Sequence, residues 1–424
     1  MSTGVNSLMS AIADIGTDPR RGGYTRPVYS TAELTLREWF VSEAQARGLE
    51  VEEDRNGILW AWWDTPDDDG VTLTRTGALV TGSHVDSVPG GGAFDGPLGV
   101  ASALAAVDLL KAREAAGELR RRRALAVTVF PEEEGSRFGV ACLGSRLLTG
   151  AISAQKALSL KDADGLTFGE VARARGLEVD RIGADTEALA RIGDFVELHV
   201  EQGRGLNTDA FTDAHGSQPA VAVGSSILGH GRWRISVYGQ GNHAGTTLMS
   251  DRADPMIAAA EIILAVRSAA VAHEGARATV GRMEPIPGGT NVIASRVDLW
   301  LDVRHPDDAV TAQVLEEIHR SMTQIAAVQG CRAHMVEESY SRTVHFTPEL
   351  TRAVEAAVRR STPGAPTLDT GAGHDAGVLA AHVPSSMIFV RNPSGISHSP
   401  EEYVESADAD AGVVALADVL ADLL

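Results

Sequence analysis

Cysteine is scarce in this chain. Its two thiols, Cys142 and Cys331, lie far apart and outside any Cys-x-x-Cys pair. That excludes thiolate zinc sites and thioredoxin-type redox chemistry and leaves two reduced structural thiols. Basic residues are outnumbered: Lys and Arg total 37 against 57 Asp and Glu, a net charge of −20. Phosphate affinity needs clustered cations, so neither nucleic acid nor an anionic membrane surface is an expected partner. A small anion is not excluded, because one or two arginines in a pocket suffice. The one cationic cluster, four arginines at 120–123, reads as a solvated helix-to-strand connection. No stretch approaches the ~18 apolar residues of a membrane span. Residues 1–16 show no basic region followed by an apolar run, so no signal peptide is expected and the cytoplasm is the expected location. No fixed-period repeat is visible.

What is present is an ordinary globular composition, 44% hydrophobic and 22% charged over 424 residues. That is enough for two to three domains and a core that needs no disulfides. The pattern predicts a helix ending near residue 48, capped by Thr31, with Leu34, Trp39, Phe40 and Val41 on its apolar face. Strands are expected at 58–63, 78–82, 124–130 and 195–200, with a solvated Asp-rich turn at 66–70 and an Ala/Leu helix at 99–110. This alternation predicts an α/β domain with a mostly parallel sheet. The order then changes to strand 232–238, helix 254–271, strands 277–283 and 296–303, helix 309–328 and strand 331–336. That is the β-α-β-β-α-β order of a ferredoxin-like unit. The expected organisation is one α/β domain at 1–221 and 337–424, interrupted by an inserted domain at 222–336. Helix and strand patterns resume at 349–359 and 386–390.

Four segments carry candidate chemistry. Gly82-Ser83-His84-Val85-Asp86-Ser87 precedes the turn Gly90-Gly91-Gly92-Ala93-Phe94-Asp95-Gly96. His84 falls where a strand runs out, and sites in α/β sheets gather at the carboxyl ends of strands. Asp86 is placed to accept the other imidazole N–H and so fix the tautomer of a ligating histidine. Pro131-Glu132-Glu133-Glu134-Gly135-Ser136 follows a strand expected to be buried. Two neighbouring carboxylates there can divide labour, one on a metal and one on protons. Glu197-Leu198-His199 and Ser397-His398 supply two further imidazoles near strand ends. Any one of these histidines alone is weak, since isolated histidines are more often packed than ligating. Together three imidazoles and two carboxylates suit two zinc, manganese or cobalt ions sharing one carboxylate and activating a water.

These segments resemble the di-metal amidohydrolase branch of the aminoacylase/carboxypeptidase-type metallopeptidase family. The branch includes N-carbamoyl-L-amino acid hydrolases, β-ureidopropionases and allantoate amidohydrolases. The resemblance runs from about residue 26 to 403 and also includes Asn-His-Ala-Gly-Thr-Thr, Gly-Thr-Asn, Gly-Ala-Gly-His-Asp-Ala and Gly-x-Ser-His-Ser-Pro-Glu-Glu. It implies a bridging Asp95, with His84 and His199 completing one metal site and Glu134 and His398 the other. It implies Glu133 as general base and Asp86 as the partner of His84. The inserted domain becomes a lid and dimerisation domain, presenting His243, Asn291 and Arg304 to substrate, with Gln202 beside the metals. A homodimer through that domain, two divalent ions per subunit and a small anionic ureido substrate are implied. His243 is left open between its own and the partner subunit's site. Leu248 and Gly377 stand where the branch often has Pro and Gln, which bears on pocket shape, not on ligands. The Gly-His-Asp-Ala-Gly form and the run from Met249 to Met256 favour allantoate over N-carbamoyl-L-amino acids. An N-acyl amino acid deacylase or peptidase, and a non-catalytic metal-dependent binding protein, are the remaining readings. His374 and Asp375 stand either as site contacts or as loop architecture.

Overall fold

A computed structural model describes residues 4–64, 75–212 and 217–424. The turn expected at 66–70 lies outside them. The described chain forms two compact units, Ser226–Val344 and the remainder. The inserted unit thus runs further than the 222–336 pattern, because its last long strand continues to Ser341.

The larger unit is built on a nine-stranded sheet. Its centre is four strands that run parallel: Leu125–Phe130, Ala78–His84, Ile192–Val200 and Ser385–Val390, in that spatial order. Antiparallel strands flank them on both sides. Ala78–His84 and Leu125–Phe130 are buried at every position. A parallel strand covered on both faces needs a continuous apolar run, which is what the sequence shows there. Helices Pro97–Ala115, Pro348–Ser361 and Ser406–Leu423 pack together over the sheet. The first of these begins at Pro97, where a missing N–H costs nothing. The N-terminal helical expectation resolves into two helices, Val5–Ala11 and Thr31–Ala46. The cap of the second is Ser30, not Thr31: the Ser30 hydroxyl accepts the Glu33 N–H.

The arginine run at 120–123 is tied to the fold. Arg121 lies 3.8 Å over the Trp63 ring and pairs with Glu114, and Arg123 pairs with Asp194.

The inserted unit is an antiparallel four-stranded sheet ordered Arg332–Ser341, Gly229–Tyr238, Arg296–His305 and Arg277–Ile286. Taken in chain order the strands lie 4-1-3-2, the ferredoxin-like arrangement expected. Helices Pro255–Ala272 and Asp308–Val328 bury Ala258, Ile262, Val266, Val314 and Ile318 in the same core as the sheet. One expectation is corrected here. Pro255–Ala272 is long and apolar enough, by length and composition, to cross a membrane, with 39% of that stretch buried. Its charges, Glu261 and Arg267, are too few to lower its apolar content below that of a span. A feature without sequence warning is the ribbon of Asn242–His243 paired with Val292–Ile293.

Candidate metal centre

The four parallel strands release their carboxyl ends on one edge of the sheet, and the candidate residues sit there. His84 is the last residue of its strand and His199 the penultimate residue of its own. The Glu132–Glu134 turn follows Phe130 after a single residue, Pro131. Gly96, at φ +86, is required beside His84: a Cβ there would lie 2.5 Å from the imidazole.

Each buried histidine is oriented through one nitrogen. His84 Nδ1 lies 3.0 Å from the Asp86 carbonyl oxygen, and His199 Nδ1 lies 2.9 Å from that of Val200. A carbonyl only accepts, so both Nδ1 atoms carry the proton and both Nε2 lone pairs are free. Both Nε2 atoms are buried with no hydrogen-bond partner. They face Asp95 Oδ1, at 3.6 Å from His84 and 3.2 Å from His199. The other oxygen, Asp95 Oδ2, lies 3.4 Å from His398 Nε2, which is 3.3 Å from Glu134 Oε2. The two oxygens of Asp95 therefore serve two donor groups, His84–Asp95–His199 and Asp95–Glu134–His398. Each group holds its ligand atoms within 4.8 Å of one another. Buried lone pairs without a proton donor fit a cation, and a set of imidazoles and carboxylates without thiolate suits zinc, manganese or cobalt.

Asp86 does more than face His84. Its carboxylate, 3.6 Å from His84 Nδ1, accepts the backbone N–H groups of Glu133 and Glu134, each at 3.2 Å. It thus pins the acidic turn to the His84 strand. Glu133 is buried; its Oε2 lies 3.6 Å from His84 Nε2, and its Oε1 accepts the Cys142 thiol at 3.3 Å. Burial pushes its proton affinity well above the usual carboxylate range, against the pull of His84 and with the push of Asp375 and Glu134. Glu132 turns away and accepts the N–H groups of Arg137 and Phe138. Gln202 Nε2 donates to Asp95 Oδ2 at 2.9 Å and to Ser397 Oγ at 3.1 Å, so it touches the shared carboxylate directly.

The sequence reading gave Glu197 no role and left His374 and Asp375 open between site contacts and loop architecture. Glu197 is buried two positions before His199, on the same strand face. It accepts the Ser83 hydroxyl at 2.9 Å and the Ala376 N–H at 3.1 Å. The period-two alternation of the strand was the available signal. Asp375 accepts the Ser145 hydroxyl, and burial, then the Glu197 charge, pushes it up to about 8. His374 packs with its ring centroid 4.5 Å from that of His199, both nitrogens buried and unpaired. Burial first, then the neighbouring His199, holds it neutral. Glu197, His199 and His374 form a third donor group. His199 has one free nitrogen, already aimed at Asp95, so that grouping competes with the first and adds no independent site.

The remaining candidates belong to the inserted unit. The ribbon brings His243 and Asn291 together: the Ala244 N–H donates to the Asn291 carbonyl at 3.0 Å, and both side chains are exposed. Arg304 is not with them. The ribbon continues from the Tyr238/Arg296 end of the sheet, whereas Arg304 pairs in register with His230 at the other end. Arg304 lies eight residue steps along the strand from Arg296, about 27 Å. The Arg304 guanidinium meets Asp302 with Nε at 2.7 Å and Nη2 at 3.1 Å.

The chain is similar to known proteins over nearly its whole length. The N-carbamoyl-L-amino acid amidohydrolase of Geobacillus stearothermophilus is 33% identical over 96% of this chain and 94% of its own. The allantoate amidohydrolase of Escherichia coli K12 is 30% identical over 99% of this chain and 97% of its own. Among solved structures, an amidase of the hydantoinase/carbamoylase family from Burkholderia multivorans superposes with a TM-score of 0.83 at 31% identity, covering 100% of this chain and 97% of its own. Residues 80–422 match peptidase family M20/M25/M40, and with four-fifths of its length inside that match, the chain belongs to this family.

Proposed function

We propose that this protein is an amidohydrolase that cleaves the ureido C–N bond of a small carboxylate, with allantoate as substrate and ureidoglycine, ammonia and carbon dioxide as products. The observation that carries the reading is the shared Asp95, whose two oxygens face two imidazole-containing donor groups beside a buried Glu133. His84, Asp95 and His199 would hold one divalent ion, and Asp95, Glu134 and His398 a second, as zinc, manganese or cobalt. Such a pair supplies Lewis acidity and lowers the pKa of water towards neutrality. The ureido carbonyl is a poor electrophile because two nitrogens donate into it, so the side chains must do much of the rest. Glu133 takes the proton of the attacking water at Oε2 and returns it to the departing nitrogen. His243 and Asn291 donate hydrogen bonds to the developing oxyanion. Arg304 clamps the substrate carboxylate with its planar fork, leaving Asp302 to do so.

The separation of Arg304 from His243 and Asn291 gives this reading a particular form. One subunit's inserted domain supplies Arg304 to its own site and the His243/Asn291 ribbon to the partner's. A homodimer through that domain is supported by the exposed apolar stripe Ile257, Leu264 and Val271 on Pro255–Ala272. Mixing His243→Ala with Glu133→Gln subunits tests it. If His243 acts across the dimer, an equal mixture recovers roughly a quarter of the parent rate. Recovery of nothing places His243 in its own site.

N-carbamoyl-L-amino acid hydrolysis is the second reading, favoured by the 33% identity of the Geobacillus enzyme. Ammonia release from metal-loaded protein, measured side by side on allantoate, ureidoglycolate and a panel of N-carbamoyl-L-amino acids, separates the two. Preference for allantoate supports the first reading. Preference for a carbamoyl amino acid moves the pocket assignment alone. No ammonia from any of them defeats both.

A further inference from the structure

Asp95 and His398 lie some three hundred residues apart, yet a single carboxylate joins the loops that carry them. Glu402 is 4% exposed. Its Oε1 accepts the backbone N–H groups of Phe94 at 3.0 Å and Asp95 at 2.9 Å. Its Oε2 accepts the Ser397 hydroxyl at 3.2 Å, and that hydroxyl lies 3.4 Å from Asp95 Oδ2. Gly92 clears the space: a Cβ there would come within 2.2 Å of Glu402 Oε1.

The turn at Asp95 is in neither helix nor sheet, so its buried N–H groups have no ladder partner and require an acceptor from elsewhere. His398 sits at φ +56, a left-handed conformation that a non-glycine residue holds only when its surroundings fix it. Glu402 meets the first need directly, and through the Ser397 hydroxyl it holds the residue next to His398. Both its oxygens are engaged by N–H and O–H donors from the two loops, the arrangement of a fastening group.

We propose that Glu402 is a positioning residue of the metal centre: its carboxylate fastens the Asp95 turn to the His398 loop, so that Asp95, Glu134 and His398 converge on one ion. This rests on the dinuclear reading above. The test is zinc stoichiometry by elemental analysis after gel filtration, with affinity measured by chelator competition and metal-free thermal melts as a fold control. The parent is expected to hold two ions. Glu402→Ala should hold one firmly and the second at least about tenfold more weakly, the usual effect of removing a group that orients a ligand. Glu402→Gln keeps an oxygen for the two N–H groups and should rescue the second ion. Glu402→Asp keeps the charge but is one methylene short of both N–H groups, and should lose the second ion even if Glu402→Ala does not fold. Parent-like affinity for both ions in Glu402→Ala or Glu402→Asp overturns the proposal. A parent that holds fewer than two ions overturns the dinuclear reading and this one with it.

Discussion

Glu133 and Glu134 are neighbours in sequence with opposite surroundings. Glu134 lies 3.3 Å from His398, and Glu133 is buried against His84 and the Cys142 thiol. Glu133→Gln is therefore expected to lower kcat by about 10²–10⁴ with metal content unchanged. Loss of metal from that variant would exchange the two roles. Asp86→Ala removes the acceptor of both turn N–H groups and should cost stability as well as activity, by about 2–3 kcal/mol in a chemical melt. A pH effect belongs to this scale too. Glu33 is buried 3.5 Å from the buried Arg37 guanidinium, and burial pushes it from 4.5 up to about 7 despite Arg37. The folded state thus binds this proton more tightly than the unfolded chain. Its contribution is fully present below about pH 4.5 and is lost as the pH rises towards 7, a swing of the order of 3 kcal/mol. Urea midpoints of metal-free protein at pH 5 and 7.5 should show the fall, and Glu33→Gln should flatten it. An unchanged slope in the variant would assign the fall to other groups.

At the scale of elements, the strands that carry the site were readable because burial on both faces demands unbroken apolar runs, as at 78–82 and 124–130. His84 and His199 followed from their places at the ends of such runs. The ribbon at Asn242–His243 was not readable, since two residues are too few for any periodicity. Nor was the partnership of Glu402 with Asp95, because a carboxylate in a loop gives no sign of an N–H three hundred positions away. The cap expected at Thr31 falls one residue earlier, because it is the Ser30 hydroxyl that the Glu33 N–H reaches. The glycine-rich turn offers a sharp test. Gly96→Ala sets a methyl group against the His84 ring at a positive φ. It should lower metal affinity by tenfold or more and also destabilise the fold, whereas Gly117→Ala, with nothing within 4 Å of its Cβ, should leave affinity untouched.

For the whole molecule, the charge of −20 opposes an anionic substrate at long range, while in the proposed reading arginine and metal would act inside the site. Added salt screens the distant charges more than the close ones. Raising ionic strength from about 10 to 150 mM should therefore increase kcat/KM for a carboxylate substrate, by a factor of the order of two, and do less for its amide. A fall would mean that local positive potential governs capture out to the Debye length.

The inserted unit also bears on how the metal centre comes together. It separates Ile192–Val200 from its parallel partner Ser385–Val390. Its own two ends are nonetheless side by side, since His230 pairs with Ser341 and the Gly229 N–H donates to the Thr343 hydroxyl at 2.9 Å. Once folded, the insertion is a short bridge and not a long loop, and most of the loop-closure entropy between those two strands has already been spent inside it. The insertion, whose core is its own, therefore adds little loop to the closure that sets the last central strand beside Ile192–Val200. His398 lies beyond that strand, so an ion held by Asp95, Glu134 and His398 would depend on the same closure.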